Sequence, residues 1–354
     1  MAGQRGELME LVLHQFELPL EHTFTISRGS LNVQETLIVE LRHEGLVGYG
    51  EATTNDYYNA TIEQMSADLD RLRPLLKEAT PDDPPQLWEQ TRPLLANNPF
   101  AHCALDMAVH DLWGKTLGKP VYELWGLATD NVPVSNYTIG IDSIERMVEK
   151  LQQYQDWPIY KIKLGTAHDL EIIRALREHS SAVFRVDANC AWTAEETIQN
   201  ASAMKDLGVE FIEQPLAAEL RDQMPEVKRH SALPLVADES CIVESDVELC
   251  QAGFDVINIK LVKCAGLTPA RRMISTAREL GLQVMVGCMT ESTVGISAIA
   301  QLLPLLDFVD MDGAALLSDD IAEGAQVIQG ACLYPDQPGC GVTLLKSNPL
   351  PVTG

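Results

Sequence analysis

The alternation of apolar and polar positions changes its rhythm near residue 130. Before that point, Met9, Leu11 and Leu13 alternate with Glu10, Val12 and His14, and Leu37, Val39 and Leu41 with Ile38, Glu40 and Arg42. After a turn at His43-Glu44-Gly45, the run Leu46 to Ala52 completes a meander of strands. Residues 21–33 between the strands are polar and contain Gly29, which predicts a loop. Thr61 with Gln64 three residues later is a capping-box signature, and Ile62, Met65, Leu69 and Leu72 follow it at helical spacing. Further helices are predicted over residues 85–95 and 100–117, the latter stopped by Gly118-Lys119-Pro120. Residues 1–127 therefore read as an α+β unit.

Beyond residue 130, short apolar runs alternate with helical stripes. The runs cover residues 132–141, 159–164, 183–187, 210–213, 235–238, 256–260, 284–287 and 308–310, with helices at 170–177, 193–207 and 268–280 among those between them. Strands that alternate with helices imply a parallel sheet, and eight such strands imply an α/β barrel over residues 128–329. Residues 330–354, with Pro335, Pro338, Pro349 and Pro351, are too few for another unit. They are expected to return to the N-terminal domain as irregular chain and a short strand.

Composition narrows the function. Lys and Arg total 26 against 51 Asp and Glu, a net charge of −25; so acidic a chain repels phosphate backbones and anionic membranes. Neither nucleic acid nor membrane is an expected partner. The start of the chain has no apolar run of signal-peptide length, and no stretch is long enough to span a bilayer, so a cytoplasmic location is expected. The eight cysteines form no CxxC pair, which favours reduced thiols, and the eight histidines lack metal-site spacing. His102 and His110 fall on one helix as core or surface residues, leaving carboxylates as the candidate metal ligands.

Those carboxylates recur at strand ends. Lys163, Asp187, Glu213, Asp238 and Lys260 follow one another at 24, 26, 25 and 22 residues, one charged group per strand and helix. That is the pattern of a site at the C-terminal mouth of a barrel. Within Tyr160-Lys161-Ile162-Lys163-Leu164 the two lysines share one strand face, where they need anions nearby. Asp187, Glu213 and Asp238, converging from adjacent strands, need a cation in turn, and an all-oxygen set with room for water and substrate suits one Mg2+, with Mn2+ as a substitute. Asn189 and Glu239 are expected behind these ligands, and Lys263, past the strand end, in a solvated loop. A cation nearby lowers a lysine pKa toward about 7 to 8, the range that base catalysis needs. The chemistry suggested is removal of a proton next to a substrate carboxylate held by the metal, through a metal-stabilised enolate, with Lys163 and Lys260 on opposite faces: an epimerisation.

The motifs Gly48-Tyr49-Gly50-Glu51-Ala52, Ala104-Leu105-Asp106-Met107-Ala108, the lysines at 161 and 163, the three carboxylates and Asn258-Ile259-Lys260 together resemble the muconate-lactonising subgroup of the enolase superfamily over nearly the whole chain. The resemblance implies a (β/α)7β-type modified TIM barrel with an N-terminal α+β capping domain. It implies Lys163 and Lys260 as the acid/base pair and Lys161 as the group that stabilises the enolate. Val286-Gly287-Cys288-Met289 followed by Asp310-Met311-Asp312-Gly313 is similar to dipeptide epimerases, in which the two aspartates bind the substrate ammonium. Thr138, Cys288, Leu31, Arg28 and Tyr57 complete the implied substrate contacts, and a homo-oligomer is expected. Relatives acting on Ala-Glu carry an arginine where Leu31 stands, so a dipeptide with an uncharged or apolar second residue is the expected substrate.

Other activities share parts of this pattern. A cycloisomerase or o-succinylbenzoate synthase would use the same metal and lysines without needing Asp310 and Asp312. A mandelate racemase or acid-sugar dehydratase would place a histidine near the seventh strand end, where residues 284–289 have none. A metal-free Schiff-base aldolase, or a binding barrel without catalysis, would leave the three carboxylates unexplained.

Overall fold

The computed structural model describes residues 8–351, so residues 1–7 and 352–354 of the expected domain spans lie outside the described residues. The chain opens with an antiparallel sheet of β1 (Glu10–Ile26), β2 (Gly29–His43) and β3 (Leu46–Thr53). Leu11 and Leu13 of β1 and Leu37, Val39 and Leu41 of β2 are buried, but so are His14, Ile38 and Glu40 of the alternating set, because these strands are covered on both faces. Glu44 and Gly45, both at positive φ, make the two-residue turn between β2 and β3.

The expected loop at residues 21–33 is instead the tip of the β1–β2 hairpin. After an irregularity between Pro19 and Phe24, pairing resumes with Phe24 opposite Leu31, Thr25 opposite Ser30 and Ile26 opposite Gly29. Its polar composition reflects exposure, because Arg28, Gly29 and Ser30 project away from the sheet core, and exposure does not prevent strand pairing.

Three helices follow the predicted spans closely: Ile62–Asp70, with the Thr61 side chain accepting from the Gln64 N–H, Pro84–Leu95, and Pro99–Leu117, closed by Gly118 at φ +66°. The third lies directly on β3. Gly48 and Gly50 face the backbone carbonyls of Ala108 and Ala104, where a Cβ would not fit.

The remaining strands form one eight-stranded parallel sheet in chain order: β4 (Tyr137–Ile139), β5 (Ile159–Lys163), β6 (Val183–Asp187), β7 (Val209–Glu213), β8 (Leu235–Ala237), β9 (Val256–Ile259), β10 (Gln283–Gly287) and β11 (Phe308–Asp310). Each successive pair is joined through helix, and β11 is followed by a 3-10 turn at Gly313–Leu316. The barrel is nearly closed. At the seam, side chains replace the ladder: Asn136 Nδ2 donates to Asp310 Oδ1 (2.7 Å), Met311 N to Ser135 Oγ (3.0 Å) and Thr138 N to Asp312 Oδ2 (2.6 Å). The run expected over residues 132–141 is a strand only at Tyr137–Ile139; Pro133 has no N–H to give a ladder, and Ser135 N bonds Gly330 O instead.

Two buried carboxylates fasten the N-terminal elements to the barrel. Glu51 accepts from Ser292 N (3.0 Å), Ser292 Oγ (2.6 Å) and Gly295 N (2.9 Å), and so caps the helix Thr293–Ala300. Asp106 takes Thr268 N (2.9 Å) and Thr268 Oγ1 (2.8 Å) at the start of the helix Leu267–Glu279. Helix N-termini leave N–H groups unpaired and favour negative charge, so each motif carboxylate docks one domain on the other. The last described residues run beside β1, with Leu350 N on Leu13 O at 2.7 Å. The cysteines are all free, and no helix among the described residues is long and apolar enough to cross a membrane.

Candidate active site

Strand alternation puts Lys161 and Lys163 of β5 inside the barrel, while Tyr160 and Ile162 pack outward, all of them buried. Parallel pairing then sets Lys163 beside Asp187, and Asp187 beside Glu213, at the same level of the barrel mouth. Asp238 follows the last residue of β8, and Lys260 the last residue of β9. In a ring of eight strands, β5 and β9 stand opposite each other, so Lys163 and Lys260 face one another across the lumen.

The charged groups interlock. Lys161 Nζ lies 2.8 Å from Glu213 Oε2, 2.8 Å from Asp310 Oδ2 and 3.2 Å from Asp187 Oδ2. Lys163 Nζ is 2.7 Å from Asp187 Oδ2, and Lys260 Nζ 2.8 Å from Asp238 Oδ2. Donor oxygens of Asp187, Glu213 and Asp238 fall within 4.8 Å of one another, and all three residues are buried. A buried, all-carboxylate set of this size fits a hard divalent cation. Burial works against the charges on Lys161 and Lys260, but Asp310, Glu213 and Asp187 around the first and Asp238 beside the second outweigh it and raise both above the ordinary lysine range. The expected lowering is therefore not a property of these protein groups alone; it requires a cation to engage the carboxylates.

Neighbouring groups hold the three carboxylates in place. Asn258 Nδ2 donates to Glu213 Oε1 (2.7 Å), and Asn189 N to Asp187 Oδ1 (2.9 Å) from a backbone at φ +44°. Gln214 Oε1 accepts from Asp238 N and Ser240 N, both at 3.0 Å. Lys263, expected in a solvated loop, is buried against the site: its Nζ reaches Asp238 Oδ1 (2.6 Å), Asp238 O (2.6 Å), Cys241 O (3.1 Å) and Asn258 O (3.4 Å). The turn of helix Leu261–Cys264 begins directly after Lys260 and swings Lys263 back under Asp238, a return that strand register does not reveal. Burial raises the Asp238 carboxyl, but Lys260 and Lys263 overcome it and hold it well below the usual carboxylate range. Asn258, sharing a strand face with Lys260 at i and i+2, carried a usable signal; Gln214 and Lys263 had none in local pattern.

Above this layer is a cavity of about 530 Å³, within the size range of small-molecule sites. Lys161, Lys163, Lys260, Thr138, Cys288, Asp310 and Asp312 line its floor and seam side; Arg28, Leu31 and Tyr57 line the side made by the N-terminal elements. Burial and the neighbouring Asp310 push the Asp312 carboxyl up to about 8, while Lys161 helps to hold Asp310 well below its ordinary value against burial. Glu239, buried, also lines the cavity, its Oε1 2.7 Å from Arg28 NH1. The sequence-predicted site residues thus meet at one cavity or directly behind it.

Residues 143–348 match the family described as Enolase C-terminal domain-like, and residues 9–126 that described as Mandelate racemase / muconate lactonizing enzyme, N-terminal domain. The L-Ala-D/L-amino acid epimerase of Flavobacterium johnsoniae is 54% identical over 95% of this chain and 100% of its own. A protein of the same name from Maribacter sp. is 55% identical over 95% of this chain and 99% of its own. Among solved structures, a dipeptide epimerase from Cytophaga hutchinsonii, complexed with Mg and D-Ala-L-Val, matches with a TM-score of 0.90 at 26% identity over 96% of each chain.

Proposed function

We propose that this chain, which belongs to the mandelate racemase and muconate lactonizing enzyme family of the enolase superfamily, is a Mg2+-dependent dipeptide epimerase, an isomerase acting on the C-terminal residue of a dipeptide. The observation that carries the reading is the pair of lysines facing each other across a buried carboxylate triad, with a second acidic site, Asp310 and Asp312, at the seam. The named relatives support the substrate class.

Asp187, Glu213 and Asp238 would hold Mg2+, which when bound supplies a Lewis acid for the substrate's terminal carboxylate. Lys163 and Lys260 stand on the two sides of the α-carbon; one takes its proton, and the other returns a proton to the opposite face. Lys161 places its ammonium where negative charge develops on the carboxylate. Asp310 and Asp312 receive the substrate ammonium, a role that a cycloisomerase or o-succinylbenzoate synthase does not require. The wall contributed by Phe24, Ile26, Leu31, Met289 and Leu316 supports an uncharged or apolar second side chain. In this reading residues 1–127, with the tail 330–354, cap a catalytic barrel at 128–329, and the enzyme acts in the cytoplasm.

Incubating the protein with L-Ala-L-Leu and Mg2+ in deuterated water tests this. Deuterium should enter the α-position of the leucyl residue and the L,D epimer should accumulate; EDTA should stop both and Mg2+ restore them. Activity that persists after chelation and dialysis would sink the proposal.

A further inference from the structure

Arg28 stands on the cavity wall at the tip of the β1–β2 hairpin, between Ile26 and Gly29. It is the only arginine among the described residues that line the cavity, and the lysines there face the carboxylate triad and Asp310. A guanidinium in that place would ordinarily invite an acidic substrate side chain. Here it is held on three sides: NH1 is 2.7 Å from Glu239 Oε1 and 3.5 Å from the Asn189 carbonyl, and the guanidinium carbon lies 4.5 Å above the Tyr57 ring. Glu239 depends on this contact. Its side chain is 1% exposed, Arg28 is its one ion-pair partner among the described residues, and its Oε2 has no hydrogen-bond partner. If Arg28 turned to a substrate carboxylate, Glu239 would be left as a buried, unpaired anion, which is strongly unfavourable.

Resting on the dipeptide reading above, we propose that Glu239 determines side-chain specificity. By taking up the charge of Arg28, it leaves the cavity wall neutral toward the substrate and so disfavours dipeptides whose second residue is acidic. The apolar residues beside Arg28, Leu31 foremost, then decide the preference by burial alone.

The test is the ratio of kcat/KM for L-Ala-L-Glu to that for L-Ala-L-Leu. In Glu239→Gln the ratio should rise about tenfold or more, a change of about 1.4 kcal/mol, and adding Arg28→Gln should bring it back. Any disturbance that Glu239→Gln transmits to Asp238 acts on both substrates and drops out of the ratio. Arg28→Met alone gives a second route that does not need the Glu239 variant to fold. Its ratio should fall, because the charge of Glu239 is then left uncompensated at the cavity. An unmoved ratio in Glu239→Gln or in Arg28→Met overturns the proposal while leaving the epimerase reading intact. A wild type that exchanges the α-proton of neither dipeptide overturns both.

Discussion

Replacing Lys263 by methionine removes a buried ammonium and keeps most of the stem that fills its space. Four acceptors lose their donor, among them Asp238 Oδ1 and Asp238 O, each 2.6 Å from Nζ. With the lysine side chain fully buried and Asp238 1% exposed, water does not replace it. Breaking one partner of a buried ion pair costs about 3–5 kcal/mol. An unfolding entropy of about 2.1 cal/mol/K per residue, over 354 residues, gives about 0.7 kcal/mol/K. Lys263→Met should therefore lower Tm by about 4–7 °C. The assay is thermal unfolding followed by circular dichroism and by tryptophan fluorescence, with coincident transitions required before a single Tm is used. Lys346→Met is the control: that lysine is 47% exposed and pairs with Asp319, itself 64% exposed, and such a pair is worth about 1 kcal/mol at most, or about 1–2 °C here. A shift in Lys263→Met no larger than in Lys346→Met would refute the account of Lys263 as a buried counter-charge that positions Asp238.

Asp187→Asn, Glu213→Gln and Asp238→Asn should each weaken Mn2+ binding, read by electron paramagnetic resonance titration, by at least the roughly 10–100-fold that even outer-shell changes produce; wild-type affinity in any of them places the metal elsewhere. Lys163→Ala and Lys260→Ala should each lose epimerisation by about 10²–10⁴-fold while retaining α-deuterium exchange on one epimer only, and exchange of both epimers by a single variant is incompatible with two bases on two faces. With the Asp312 carboxyl raised to about 8 by burial and Asp310, it is neutral below that pH, so KM for a dipeptide should rise as pH falls from 8 to 6. The substrate amino group, near 7.7–8.0, loses its charge on the other side, which puts tightest binding close to pH 8. Asp312→Asn should flatten the acid limb, and a wild-type KM that does not change from pH 6 to 8 excludes this role.

Sequence by itself determined the strand ends and what stands on them. Alternation assigned Lys161 and Lys163 to one face, and a charged residue at each of the successive ends 163, 187, 213, 238 and 260 marked the mouth of a barrel, because burial periodicity is a local property that each strand carries alone. It also marked the helices at residues 62–70, 84–95 and 99–117 to within a residue or two, since caps and breakers act within a turn of where they stand. The tertiary structure decided which charges meet. Lys263 reads locally as a loop lysine, yet its partner Asp238 lies 25 residues away, just past the end of β8. Residues 21–33 read as loop because the hairpin tip is polar; its pairing is visible only in the register of β1 with β2. Glu51 and Asp106 read as motif carboxylates without a task until the helices they cap, 241 and 162 residues onward, were packed against them. Arg28 and Glu239 are likewise two ordinary charges in the sequence. Folding brings them to 2.7 Å and excludes water from the acid, and it is that desolvation, which no local pattern encodes, that makes Glu239 depend on Arg28.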